Sequence, residues 1–302
     1  MKKSRPDPSD PRDLVGRDFF ISDDDHPDHF NPRPKRFQWP YHTMAGNDIH
    51  GTPCAGVVAA SGRFNKIYGA APRCKILPVK IFHDDDLASE ARVSDAIMYS
   101  GLFSDILSCS WSGPNSSIID AALHDVAKGV FDSRRETRGT PIFFAAGNGG
   151  RNSVAYPAAS DYTICVGATT DQAKIATYSN KGKEVWISAP SSGGVKGITT
   201  TDVSYPNRGF NSGDSSAGGK DGLHTNSFVG TSSATPLVAG IVALILSVRP
   251  DLTLTDVKEI LRDSADKIGP ASSYTGNPGH SVAFGYGRIN AGAAVEAALS
   301  FP

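Results

Sequence analysis

The sequence predicts an α/β domain, a mainly parallel sheet between helices, and three observations carry that reading. From residue 50 onward, short apolar runs alternate with helical segments, the pattern of parallel strands covered on both faces. One run, Leu237 to Leu246, is apolar all round and therefore belongs at the centre of a domain. The 302 residues, 39% hydrophobic, allow one large core or two small ones, and no internal repeat or long linker divides them. A single domain over 1–302 is expected, with 1–48 as its polar opening segment.

Within that opening segment only Val15 to Ile21 is strand-like. The run Ser22-Asp23-Asp24-Asp25-His26-Pro27-Asp28-His29 lacks the glycine and closing glutamate of a calcium helix–loop motif and reads as a solvated acidic loop. His50 to Ala60 reads as a helix with small residues on its buried side, Ile76 to Phe82 as a strand, Ala88 to Tyr99 as a helix and Ile106 to Ser110 as a strand. Ile118 to Val130 follows as a helix, then Ile142 to Ala145, Tyr162 to Val166 and Glu184 to Ala189 as strands. Residues 191 to 227 are rich in Gly, Ser, Thr and Asn, with Gly197 to Thr201 the one strand expected there. After the buried helix come an amphipathic helix, Leu254 to Ser264 capped by Thr253, and a last helix, Ala291 to Leu299.

Charge and cysteine usage exclude several classes. Lys+Arg 30 against Asp+Glu 31, a net charge of −1, leaves no electrostatic footprint for nucleic acid. The Leu237–Leu246 run is too short to span a membrane, and Met1 to Pro6 has no apolar stretch behind it, so neither a membrane segment nor a signal peptide is expected. Cysteines at 54, 74, 109 and 165 match neither a zinc pattern nor a disulfide framework. Three of them, Cys54, Cys109 and Cys165, read as small buried hydrophobes.

Chemistry is concentrated in three stretches. Gly230-Thr231-Ser232-Ser233-Ala234-Thr235-Pro236 opens the buried helix. Pro236 is expected in the first turn, where its missing N–H costs nothing. That sets Ser232 at a helix N-terminus, where free N–H groups favour a developing anion. The same hydroxyls would serve equally as helix caps. His50-Gly51-Thr52-Pro53-Cys54-Ala55-Gly56 places a histidine at another helix start, and Phe144-Ala145-Ala146-Gly147-Asn148-Gly149-Gly150 ends a buried strand in an asparagine between glycines. Singly, the histidine reads as structural and the Gly-Asn-Gly as a turn. Together they provide a base, an amide donor and a hydroxyl, the parts that acyl transfer requires.

These blocks resemble those of the subtilisin-like serine proteases (subtilases): His-Gly-Thr at 50, Ala-Ala-Gly-Asn at 145 and Gly-Thr-Ser-x-Ala-x-Pro at 230, with the likeness running from about residue 14 to the C-terminus. The resemblance implies the family's three-layer fold and a serine endopeptidase working through an acyl-enzyme. It implies that His50 is the base, Ser232 the nucleophile and Asn148 the oxyanion donor. Ser110, Trp111 and Ser112 resemble the edge segment that pairs with an extended polypeptide substrate. Ala146 and Gly147 would wall the pocket before the scissile bond, and Pro157 is expected to be cis. No cofactor is needed for the chemistry; structural calcium is compatible with the family, without a nameable ligand set.

Details such as Cys109-Ser110-Trp111 and Gly285-Tyr286-Gly287-Arg288-Ile289-Asn290 lean to the kexin-like branch. However, Asn115-Ser116-Ser117-Ile118 replaces that branch's acidic run, so a dibasic preference is not expected. Asp84, Asp85, Asp86 and Glu90 read first as solvated charges.

The family's aspartate is the large departure. It precedes the histidine, ends an apolar strand and is followed within two residues by glycine. None of the aspartates at 7, 10, 13, 18, 23, 24, 25, 28 and 48 has that setting. Asp18, followed by Phe19-Phe20, resembles a pair lying after the catalytic aspartate in kexin-like enzymes, and Asp48 is too near His50 in sequence. The expectation is a domain incomplete at its N-terminus: first a fragment of a secreted parent, otherwise the product of a late start codon or half of a two-chain enzyme, with the acid on the missing segment or the second chain. Turnover would then fall by about four orders of magnitude, and a sheet edge would lie bare. The competing reading is a silent subtilase-like module that binds extended peptides. An α/β-hydrolase is set aside because His50 precedes Ser232.

Overall fold

The structure, a computed structural model, describes residues 16–20, 32, 49–62, 67–83, 86–130, 134–203, 209–211, 218–220 and 222–302; the acidic run 22–29 and Asp48 lie outside them. In chain order the elements are β1 (Arg17–Asp18), α1 (Gly51–Ala59), β2 (Val79–Lys80), β3 (Phe82–His83), β4 (Asp86–Leu87), α2 (Glu90–Phe103), β5 (Leu107–Cys109) and α3 (Ser117–Lys128). They continue with β6 (Ile142–Ala145), β7 (Ile164–Thr169), β8 (Val185–Pro190), β9 (Ile198–Thr201), β10 (His224–Phe228), α4 (Thr231–Val248), α5 (Leu254–Asp263) and α6 (Ala291–Ser300).

The centre is a parallel sheet in the order β5-β6-β7-β8. Because both faces are covered, β6 and β7 are buried at every residue, which is why they read as unbroken apolar runs. Alternate side chains serve opposite layers. Phe143, Ile164, Val166 and Ile187 pack with Val238, Ile241, Val242 and Ile245 of α4. Ile142, Phe144, Cys165 and Val185 pack with Val93 and Ile97 of α2 and Ile119, Leu123 and Val126 of α3. This helix–sheet–helix sandwich is the α/β class that the sequence predicts. Local signals agree: Ser116 caps α3, Gly129 ends it in the left-handed region (φ 63°), and Thr253 with Asp256 forms a capping box on α5.

Four elements differ from expectation. The strand expected over Ile76–Phe82 is two short pieces, since β2 pairs in parallel with β1 while β3 turns back on β4. β10 was not foreseen; its polar residues pair with β9 in an antiparallel ribbon outside the main sheet and show no apolar alternation. α4 begins at Thr231, so Pro236 is its sixth residue and lies beyond the first turn. At 18 residues this helix is long and apolar enough to cross a membrane, yet it is 72% buried and forms the core's central helix. Asp18 is buried on β1, accepts a hydrogen bond from Phe20 N (3.0 Å) and faces Lys80 Nζ (3.6 Å). The Tyr156–Pro157 peptide is cis, as the resemblance implies.

α1 is fixed against β9 by two threonines. Thr200 Oγ1 donates to Pro53 O (2.9 Å) and Thr201 Oγ1 to Thr52 O (3.2 Å). Gly56 lets the two elements approach, because a Cβ there would lie 2.2 Å from Thr201 Oγ1 and 2.4 Å from Thr200 Oγ1. Gly56→Ala should therefore cost about 1–3 kcal/mol by overpacking, read as a lower urea midpoint. Gly51→Ala, whose added Cβ meets nothing within 4 Å, should not lower it.

Candidate active site

His50 is the N-cap of α1, so the helix start fixes its backbone. Phe228 of β10 meets its ring edge-on at 5.6 Å between centroids. Cys54, one turn along α1, sets Sγ 3.7 Å from Nδ1. Among the described residues this thiol is the imidazole's one polar partner, and no carboxylate reaches it. His50 is exposed, yet the protein atoms gathered around its ring desolvate it and lower its pKa from 6.5. Burial pushes the Cys54 thiol up to about 12, so the sulfur stays protonated at neutral pH.

Ser232 is the second residue of α4. In a regular helix its carbonyl would accept from the N–H four residues on, but that residue is Pro236, which has none. The orphaned oxygen is taken by side chains from elsewhere: Ser110 Oγ donates to it at 2.9 Å and Cys54 Sγ approaches at 3.7 Å. One carbonyl thus joins α4 to the end of β5 and to α1. The Ser232 hydroxyl makes no hydrogen bond to another described residue.

Asn148 approaches from the end of β6. Its Oδ1 accepts from Thr231 N (2.8 Å) and Thr231 Oγ1 (2.9 Å). Both donors fix the amide orientation, because Nδ2 has no lone pair to offer them. Nδ2 is thereby left on the Gly230 side, 2.9 Å from where a Cβ on Gly230 would lie. Gly230 has φ 86°, a conformation that suits glycine and turns the chain into α4.

The loop carrying Asn148 is held by Asn180. Its Oδ1 accepts from Gly149 N and Arg151 N (both 3.0 Å), and its Nδ2 donates to Ala146 O (3.0 Å). Gly147, at φ 102°, leaves room for that amide, which a Cβ would approach to 2.4 Å. Ala146 and Gly147 spend their backbone groups on protein partners: Ala146 O also accepts from Ala155 N, Gly147 N donates to Thr231 Oγ1, and Gly147 O accepts from Asn180 N. They can shape a wall but offer little hydrogen bonding of their own.

Ser110 spends its hydroxyl on Ser232 O. Trp111 packs edge-on against Phe144 at 4.9 Å, and past Ser112 the segment is stitched by Gly113 N donating to Tyr156 O (3.0 Å). The sequence reading missed Thr231 and Asn180, which hold the site through side chains. Thr231 was legible as a neighbour of Ser232, whereas Asn180 lies in a loop without a pattern.

A serine at the N-terminus of a buried helix, a histidine on the adjoining helix and an oriented asparagine amide are thus set on a parallel α/β sheet. The model of the Subtilase family matches residues 9–287, and the chain belongs to that family. It is 37% identical to a calcium-dependent protease of Nostoc sp. over 287 residues, 89% of this chain and 43% of that protein. It is 32% identical to a dibasic-processing endoprotease of Schizosaccharomyces pombe, over 83% of this chain and 35% of that one. Among solved structures, a protease from Pseudoalteromonas arctica superposes with a TM-score of 0.62 at 26% identity, covering 82% of this chain and 70% of that one. The chain spans about two fifths of the length of the first two relatives.

Only neutral imidazole can accept a proton, and desolvation lowers the His50 pKa. The rate at which Ser232 reacts with an acylating or phosphonylating reagent should therefore rise with pH through a midpoint below 6.5. Because folding disfavours the charged ring, stability should fall as pH drops below 6.5 through the folded value. Both are read from one pH series of rate and urea midpoint, with His50→Gln as the control that loses the His50 contribution to each.

Proposed function

We propose that this chain is a serine endopeptidase domain in which Ser232 is the nucleophile, His50 the general base and Asn148 an oxyanion donor. The observation that carries the reading is the Asn148 side chain. Its oxygen is held twice by Thr231 while its Nδ2 stays beside the nucleophile's helix start. A donor prepared in that way has its chemical use where negative charge develops.

The polypeptide lies extended along Ser110–Ser112, with Ala146 and Gly147 as one wall. Ser232 Oγ attacks the scissile carbonyl and His50 Nε2 takes the hydroxyl proton. Charge on the carbonyl oxygen is received by Asn148 Nδ2 and the Ser232 N–H, which a second helical residue leaves free. His50 returns the proton to the departing amine, and water then repeats the sequence on the acyl-enzyme. For Nε2 to act as base, Nδ1 must carry the ring proton and point it at a partner. Cys54 Sγ is the partner present, a weak acceptor. It selects the useful tautomer but stabilises the imidazolium far less than a carboxylate would. A missing carboxylate costs about 10⁴ in kcat.

Calcium is named in the Nostoc relative. Among the described residues no group of three or more His, Cys, Asp or Glu side chains converges, so they do not fit a carboxylate-lined calcium site. No step is routed through the ion. A dibasic preference, named for the yeast relative, is not carried over either. Glu90, the described carboxylate near the segment that replaces the acidic run, accepts from Ser116 Oγ at 2.8 Å.

Where turnover is slow, covalent labelling decides more than hydrolysis does. Exposure to a fluorophosphonate should add one phosphonyl mass to the chain and none to Ser232→Ala. No labelling of a folded chain would replace this reading with that of a peptide-binding module, which the lack of a carboxylate beside His50 among the described residues favours. Asn148→Ala should slow peptide hydrolysis by about 10²–10³, the scale known for removing this donor in a subtilisin, with KM little changed. A fall confined to KM would contradict the oxyanion role.

A further inference from the structure

The turn that presents Ser232 is held on its far side by hydroxyl groups outside the catalytic set. The Gly230 carbonyl, immediately before α4, accepts from Ser233 N (3.1 Å), Ser191 Oγ (2.8 Å) and Ser233 Oγ (3.1 Å). Ser191 and Ser233 hydroxyls lie 2.7 Å apart, and both residues are buried. Behind them stands Tyr178, whose hydroxyl accepts from Ser192 N at 3.3 Å and lies 2.8 Å from Ser191 Oγ, 3.0 Å from Ser192 Oγ and 3.1 Å from Ser192 O, with one proton to give.

Proton bookkeeping gives this cluster a direction. A carbonyl can only accept, so Ser191 must spend its one proton on Gly230 O for that 2.8 Å contact to exist. Ser191 Oγ then accepts from Tyr178 at 2.8 Å, the phenol giving its one proton there and not to the more distant Ser192 O, while Ser233 Oγ keeps its proton for Gly230 O. The Tyr178 main chain points the other way: its carbonyl accepts from Gly150 N at 2.7 Å, in the loop that carries Asn148. Tyr178 therefore braces the oxyanion-donor loop with its backbone and the nucleophile turn with its hydroxyl. Its own loop is firm, since Ala176 N donates to Ala168 O (3.0 Å) and Ala168 N to Ser179 Oγ (3.0 Å), all three residues being fully buried.

We propose that Tyr178 and Ser191 are positioning residues for the nucleophile: the tyrosine hydroxyl, through Ser191 Oγ, fixes the Gly230 carbonyl and so the pitch at which Ser232 is offered to His50 and Asn148. The proposal rests on the peptidase reading for its consequence, but the brace itself is a property of the turn. Removing it frees a turn on which reacting atoms must align closely, and small misplacements there reduce the rate without weakening substrate binding.

The test uses the full chain with Tyr178→Phe, which keeps the ring, Ser191→Ala, and the double variant. Saturating fluorophosphonate kinetics separate reagent binding from the bond-forming step on Ser232. Each single variant should slow the bond-forming step about tenfold, with reagent affinity unchanged. The double should be no slower than Ser191→Ala, because the tyrosine acts through that serine. Amide exchange at 230–235 should quicken in all three while the rest of α4 is unchanged. An unaltered bond-forming rate in Tyr178→Phe, or effects of the two changes that simply add, overturns the proposal. If the unmodified chain is not labelled at all, the peptidase reading fails separately. Amide exchange then decides the brace: quickened exchange at 230–235 supports it and unchanged exchange overturns it.

Discussion

The site depends on one missing hydrogen bond. Pro236 removes the donor that would close the first turn of α4 onto the Ser232 carbonyl, in a helix otherwise buried on nearly every side. An unsatisfied buried carbonyl costs about 1–3 kcal/mol, so the oxygen requires a partner from outside the helix. Ser110 supplies it from the end of β5 and Cys54 approaches from α1. A break in secondary structure is thus converted into a tertiary contact joining α4, the end of β5 and α1. A regular helix would satisfy that carbonyl internally and leave the three elements without a common point.

The same economy recurs around the cleft, where loops and helix starts are fixed by side-chain donors and not by regular ladders. Thr200 and Thr201 hold the first turn of α1, Thr231 holds Asn148, and Asn180 holds the loop before and after it. Asp202 closes the chain after β9 by accepting from Val203 N (2.8 Å) and Asn211 N (2.7 Å), although burial raises its pKa. Each such bond contributes about 1 kcal/mol net. Their common effect is geometric, because the apolar layers above and below the sheet carry the bulk of the stability.

What could be read from the sequence follows from this division. The sheet and its two helix layers announce themselves through burial: Ile142–Ala145 is found with the bounds its apolar run suggests, and Thr253 caps α5 as its spacing indicates. β10 did not, because His224 to Phe228 pairs with β9 through its backbone and owes little to apolar alternation. The start of α4 was misjudged for a related reason. Threonine and serine at 231–233 are weak helix formers, and their helicity comes from capping contacts at Gly230 and from tertiary bonds. The places of His50, Asn148 and Ser232 in the fold were legible because each ends or begins a regular element. Asn180, Ser191 and Tyr178 were not, since what they do depends on which loops meet.

The lack of a carboxylate beside His50 among the described residues bears on both chemistry and binding, and the two can be weighed against each other. A loss of about 10⁴ is roughly 5.5 kcal/mol of transition-state stabilisation. A serine, an imidazole and an oxyanion donor still retain much of the remaining advantage, since these act in water-poor surroundings without reorganising. Pairing with an extended peptide, by contrast, asks only for backbone groups along Ser110–Ser112 and a wall beside them. It gives no reason to orient an asparagine amide through two bonds to Thr231, or to hold a thiol between His50 and the Ser232 carbonyl. Those contacts fix groups whose usefulness begins when charge moves, and that weighs for the proposed peptidase over a surface that merely holds a chain.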